Sequence, residues 1–215
     1  MLTAVLLGFA LGVRHAFDPD HVIAITAIAS RHRSSWTAAW IGASWGLGHS
    51  ATIFAVGVVI IALRIAIPDS FAKLLELVVG LVLVGLGIAN LVASRPETAG
   101  RTLVPAKRAP LRATLARSGL VGFAHGLAGS APVVLLALAA MRTPSAALVY
   151  LLVFGVGTLI AMVGFSLTVS LPLGALGRSP RAQRLVTAST GMLSLTFGCF
   201  ILFESGSRAA WPAVG

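Results

Sequence analysis

What this chain lacks narrows its nature before any motif is read. Of its 215 residues only 10% are charged, six are acidic, and there is one cysteine and one tyrosine. Soluble domains carry about 25% charged residues, so a water-soluble globular fold is excluded. The one cysteine, Cys199, lies in an apolar stretch. It leaves no room for an intramolecular disulfide, CxxC chemistry or a thiolate metal cluster. The opening "MLTAVLLGFALGV" has no basic n-region, and no small-residue cleavage site precedes the polar residues that follow it. It is read as the first half of a retained span, not as a secretory signal.

What is present is apolar: 57% of residues are hydrophobic and the mean hydropathy is +0.96. The apolar runs are continuous instead of alternating, which excludes a β-barrel and predicts an all-α integral membrane protein. Six spans are expected, at about 2–30, 36–66, 71–93, 118–141, 146–172 and 185–203. Several exceed ~25 residues, which predicts tilted or broken helices. Between spans 3 and 4 the segment 94–117, rich in Pro, Arg and Ala, reads as a loop.

The net charge of +10 comes mostly from residues between the spans and does not point to nucleic acid. Eleven basic residues (Arg31, Arg33, Arg95, Arg101, Lys107, Arg108, Arg112, Arg117, Arg178, Arg181 and Arg184) follow spans 1, 3 and 5. Four (Arg64, Lys73, Arg142 and Arg208) fall on the opposite side. The positive-inside rule puts the eleven in the cytoplasm, so the 94–117 loop is expected inside and both termini outside the cytoplasmic membrane.

A weak internal repeat runs through the chain. His15 in "GFALGVRHAF" matches His125 in "GLVGFAHGLA", 110 positions on, and Gly48 matches Gly157 at 109. Gly80 and Gly87 match Gly191 and Gly198 at 111. A three-span unit repeated end to end enters the membrane from opposite sides, which is the inverted-repeat plan of many transporters. The expected organisation is therefore a first repeat at 1–93, the loop at 94–117 and a second repeat at 118–215.

One stretch breaks the apolar pattern. "RHAFDPDH", residues 14–21, puts five ionisable groups and a proline in the middle of span 1. Arg14, Asp18 and Asp20 at mid-membrane depth together cost about 8–10 kcal/mol on insertion scales. Such groups must turn inward, toward partners or water. On a straight helix His15, Asp18 and His21 share a face and Asp20 points away. A break at Pro19 would bring Asp20 round and free the carbonyl of His15. Imidazole and carboxylate together suit Zn, Cu, Fe or Ni, and the absence of cysteine argues against a Cu(I) site. His49, in "GLGHS" of span 2, is placed to add an imidazole. Asp18 is either a ligand or a charge partner, and at i, i+4 from Arg14 it also fits an ion pair. Arg14, Glu76, His125 and Ser130 are candidates for lining a path. In the second repeat Ala128 and Ala131 stand where Asp18 and His21 would be, so that half is expected to supply a gate and wall.

The H-x4-D-H pattern of His15, Asp20 and His21, with "LGHS" at Leu47–Ser50, resembles the signatures of the nickel/cobalt permeases, the NiCoT or NicO family. "HGLAGSAP", His125–Pro132, is similar to the membrane domain of the UreH-type urease accessory proteins, a related group. The resemblance implies Ni2+ or Co2+ as transported substrate, bound by the motif His and Asp residues, with no resident cofactor and no enzymatic activity. Two features depart from it. Six spans with the motif in the first replace the permeases' eight with it in the second, and "DPDH" stands for "DADH". Exporters of the family it resembles often carry a His-rich cytoplasmic loop, so on that resemblance the absence of His from 94–117 implies uptake. Export and a membrane-embedded metalloenzyme remain the alternatives.

Overall fold

The computed structural model describes residues 1–30, 34–63, 69–95, 110–141, 143–176 and 179–210. Among them the protein is all-helical. The helices are α1 (Leu2–His15), α2 (Pro19–Ala29), α3 (Ser35–Leu63), α4 (Asp69–Ala93), α5 (Leu111–Ala140), α6 (Pro144–Leu176) and α7 (Pro180–Ala210). At 1.5 Å per residue, α3 and α6 run well past a ~30 Å hydrocarbon core. Four segments, in α3, α4, α6 and α7, are by length and composition apolar enough to cross a bilayer.

Span 1 is two pieces of 14 and 11 residues. The cause is local. A residue before proline is pushed out of the α region, and Asp18 has φ −60° and ψ 141°. Pro19 then opens α2 at the first helical position, where its missing N–H costs nothing. Pro144 and Pro180 open α6 and α7 in the same way.

Two expectations are corrected here. The carbonyl of His15 is not free, because it accepts the amide N–H of Asp18 at 3.0 Å. Helix α5 begins at Leu111, seven residues before the predicted span and inside the stretch read as loop. Composition misled there: "LRATLAR" is basic enough to look like a loop, yet it is made of helix formers and is preceded by Pro110. Residues 96–109 of that segment, with Arg101, Lys107 and Arg108, lie outside the described residues, as do Arg31, Arg33, Arg64, Arg142 and Arg178.

The burial pattern is that of a protein in lipid. Leu6, Leu120, Phe123, Leu185 and Phe203 are exposed, while His21, His49, Asn90, Ser118, His125, Thr158 and Ser194 are buried. The polar groups serve the packing. Ser118 Oγ donates to the Ile41 carbonyl (2.9 Å), Ser194 Oγ to that of Leu83 (2.7 Å) and Thr158 Oγ1 to that of Gly12 (3.0 Å). Asn90 ties three helices: its Nδ2 donates to the Ala27 carbonyl at 2.8 Å and to Thr190 Oγ1 at 3.3 Å.

Glycines set how closely the helices approach. Helix α1 packs on α6, α3 on both α5 and α6, and α4 on α7. The close contacts come in exchanged pairs. Gly12 faces the Phe154 backbone and Gly122 faces the Trp45 backbone. Gly157 faces Phe9, and Gly48 faces Gly119. Gly80 faces Gly198, and Gly87 faces Gly191. Each pair maps onto its mate at the 109–111 offset of the sequence repeat.

A Cβ at Gly12 would collide with the Phe154 carbonyl, whereas at Gly85 it would meet nothing within 4 Å. Gly12→Ala is expected to cost about 1–3 kcal/mol, as overpacking does. Gly85→Ala is expected to be neutral or to gain up to ~1 kcal/mol in helix propensity. Thermal unfolding in detergent checks this, and equal melting points for the two variants would contradict the packing.

Candidate metal centre

The break between α1 and α2 decides where the polar side chains go. His15 ends α1, Asp18 caps α2, and Asp20 and His21 sit in the first turn of α2. His49 comes from mid-α3 and His125 from mid-α5. The rings of His15, His21, His49 and His125 form one cluster. Centroids are 4.6 Å apart for His15–His21, 4.8 Å for His21–His49 and 4.6 Å for His21–His125. Of these side chains His21 and His125 are only 2% exposed.

Two carboxylates orient the rings. An ionised carboxylate only accepts, so the imidazole nitrogens facing it donate. His15 Nδ1 donates to Asp18 Oδ2 at 2.7 Å. His21 Nδ1 donates to Asp20 Oδ1 at 3.0 Å, and His125 Nε2 donates to Asp20 Oδ2 at 2.7 Å. With Nδ1 of His15 occupied, its Nε2 faces His49 Nε2 at 3.1 Å. Two donors bound at ~2.1 Å to one ion lie about 3.0–3.4 Å apart, so these contacts have the spacing of ligands around an ion.

Three nitrogens are left over. His21 Nε2, His49 Nδ1 and His125 Nδ1 are buried without a hydrogen-bond partner among the described residues. A buried polar atom left unpaired costs about 1–3 kcal/mol, and three such nitrogens fall in this one cluster. The donor atoms fall into two groups, each within 4.8 Å: His15–His21–His49 and Asp20–His21–His125.

Beside the cluster is a cavity of about 240 Å³, lined by His15, Asp20, His21 and His125, and also by Glu76 of α4 and Glu204 and Ser205 of α7. Ser205 Oγ donates to Glu76 Oε2 at 3.0 Å. Glu204 and Ser205 were not singled out in the sequence. The available signal was that Glu204 is one of six acids in the chain and lies next to an apolar run.

The other candidates divide as follows. Asp18 lies against His15, and no ion pair joins it to Arg14 among the described residues. The i, i+4 register needed for such a pair requires one continuous helix, and α1 stops at His15. Arg14 is exposed. Ser130 lies on α5, but its side chain is outside the described residues. Ala128 lines the cavity.

Fold and site define a multi-pass helical membrane protein with a buried histidine–carboxylate centre. Residues 1–95 match the family model NicO, "High-affinity nickel-transport protein". The chain is 32% identical over 212 residues to the "Urease accessory protein UreH" of Bacillus sp. (strain TB-90), covering 96% of this chain and 93% of that protein. It therefore belongs to the NicO/UreH family of membrane transport and accessory proteins, which is not a family of enzymes. Two Arabidopsis thaliana proteins, "Chloroplast protein FOR GROWTH AND FERTILITY 2" and "Chloroplast protein FOR GROWTH AND FERTILITY 1", are 26% and 27% identical, each over 94% of this chain. This chain spans 56% and 60% of their lengths. No solved structure matches.

Pro19→Ala tests the break. Alanine lets Asp18 enter the α region and join α1 to α2, which turns Asp20 away from His21 and His125. Co2+ affinity of the purified variant is expected to fall at least ~10-fold, the usual scale for losing an orienting partner. Unchanged affinity would show that the ligand set does not depend on the break.

Proposed function

We propose that this chain is a permease that carries a divalent transition metal, Ni2+ first and Co2+ as its near equivalent, into the cell across the cytoplasmic membrane. The observation that carries the reading is the convergence of four imidazoles and the Asp20 carboxylate, with three buried nitrogens unpaired, beside a cavity inside an apolar helical protein. Imidazole and carboxylate without thiolate suit such ions. His15, Asp20, His21 and His49 hold the ion, and Asp18 orients His15 as an outer-sphere carboxylate.

Six crossings account for the seven helices if α1 and α2 together make one and α5 another. The exchanged glycine contacts support two inverted repeats, since a two-fold relation swaps each contact with its mate. Direction follows from charge. The eleven-to-four distribution of basic residues supports both termini outside, and with them the helix ends that bear Glu76 and Glu204. A cavity lined by Glu76 and Glu204 as well as by the histidines concentrates cations before they bind. The name of the UreH relative makes urease, or another nickel enzyme, the expected consumer.

His15→Ala, Asp20→Ala and His21→Ala are each expected to cut Ni2+ accumulation at least tenfold while insertion is unchanged. Wild-type accumulation in any two of them would remove the motif from the mechanism. Loading inside-out and right-side-out vesicles separately distinguishes uptake from export.

A further inference from the structure

The two donor groups share one residue. His15–His21–His49 and Asp20–His21–His125 both contain His21. They are not equally placed. The cavity is lined by His15, Asp20, His21 and His125 but not by His49, which is fully buried. The sequence repeat assigned the second half only a gate and wall, yet His125 of α5 reaches Asp20 at 2.7 Å.

We propose that the centre has two alternative ion positions, an outer one on Asp20, His21 and His125 and an inner one on His15, His21 and His49, with His21 passing the ion between them. The proposal rests on the reading of the chain as a metal permease and adds His125, and with it the second half of the chain, to the ligand set. An imidazole carries a nitrogen on each of two edges. In the inner position Nε2 of His21 binds the ion, and its Nδ1–H keeps the bond to Asp20 that the structure shows. In the outer position Nδ1 binds and the ring proton sits on Nε2, which has no hydrogen-bond partner among the described residues. His125 behaves likewise: Nε2 binds and the proton moves to the unpartnered Nδ1. No net proton is gained or lost on either ring. Asp20 changes role from ligand in the outer position to orienting partner in the inner one. The positions are too close for two divalent ions in a poorly hydrated interior, so they are filled one at a time. Two weaker positions in sequence let an ion both enter and leave, which one deep site would prevent.

The test uses the full chain purified in detergent, with Co2+ as probe, and uptake in cells. The wild type is expected to bind one Co2+. His49→Ala and His125→Ala are each expected to bind one Co2+ about tenfold more weakly, with different visible spectra, because each keeps a different donor set. Each is expected to lose transport, and the double variant to lose binding. His125→Gln keeps a donor to Asp20 but removes the ligand nitrogen, and is expected to fail in transport as His125→Ala does. Restored transport in His125→Gln would reduce His125 to a hydrogen-bond support and overturn the outer position. Complete loss of binding in His49→Ala alone would do the same. Absence of Co2+ binding by the wild type would instead overturn the permease reading itself.

Discussion

A polar group inside a bilayer has no water to fall back on, so it must be satisfied by other parts of the protein. Everything distinctive here follows from meeting that demand at one place. The α1–α2 segment brings two carboxylates, two imidazoles and a proline together within an apolar helical protein, and a straight helix would have aimed one carboxylate at the wrong side. The extended Asp18 and the restart at Pro19 let Asp20 lie against His21 and His125 while Asp18 turns back on His15. The backbone at the break is satisfied locally, by the bond from the Asp18 amide to the His15 carbonyl and by the bond from the Thr158 hydroxyl to Gly12.

The surrounding helices make this arrangement possible by coming close. With no hydrophobic force between helices in lipid, small residues and interhelical hydrogen bonds carry the packing. Gly12 and Gly122 lie three residues before His15 and His125, and each sits against the backbone of a partner helix. Positions that bring the backbones together therefore also fix the depth and direction of the histidines one turn further on. Gly126 does the same on the other side, where it faces the His49 backbone.

Much of this was legible in the sequence, for physical reasons. Composition pointed to the membrane class, and the spacing of His15, Asp20 and His21 around Pro19 already implied a break and the convergence of these side chains. His49 stood out because an imidazole beside glycines in an apolar run must find a polar partner within the membrane. What composition could not give was contact between elements distant in the chain. The bond from His125 to Asp20 joins residues 105 positions apart, and nothing local in "FAHGLA" announces it. Sequence alone does not decide between an Arg14 ion pair and a ligand role for Asp18, because the choice turns on whether α1 ends at His15. Glu204 was passed over because its neighbour across the cavity, Glu76, is on another helix. The early start of α5 was missed because arginines in a first turn look like loop when only hydropathy is read.

The buried unpaired nitrogens of His21, His49 and His125 make the central claim a statement about coordination chemistry, and X-ray absorption at the nickel edge on the purified, Ni2+-loaded protein addresses it directly. The expected spectrum has a first shell of nitrogen and oxygen only, near ~2.1 Å, with the outer-shell scattering of at least two imidazoles. A shell containing sulfur, or one without imidazole scattering, would contradict a centre built from His15, His21, His49 and His125 around Asp20.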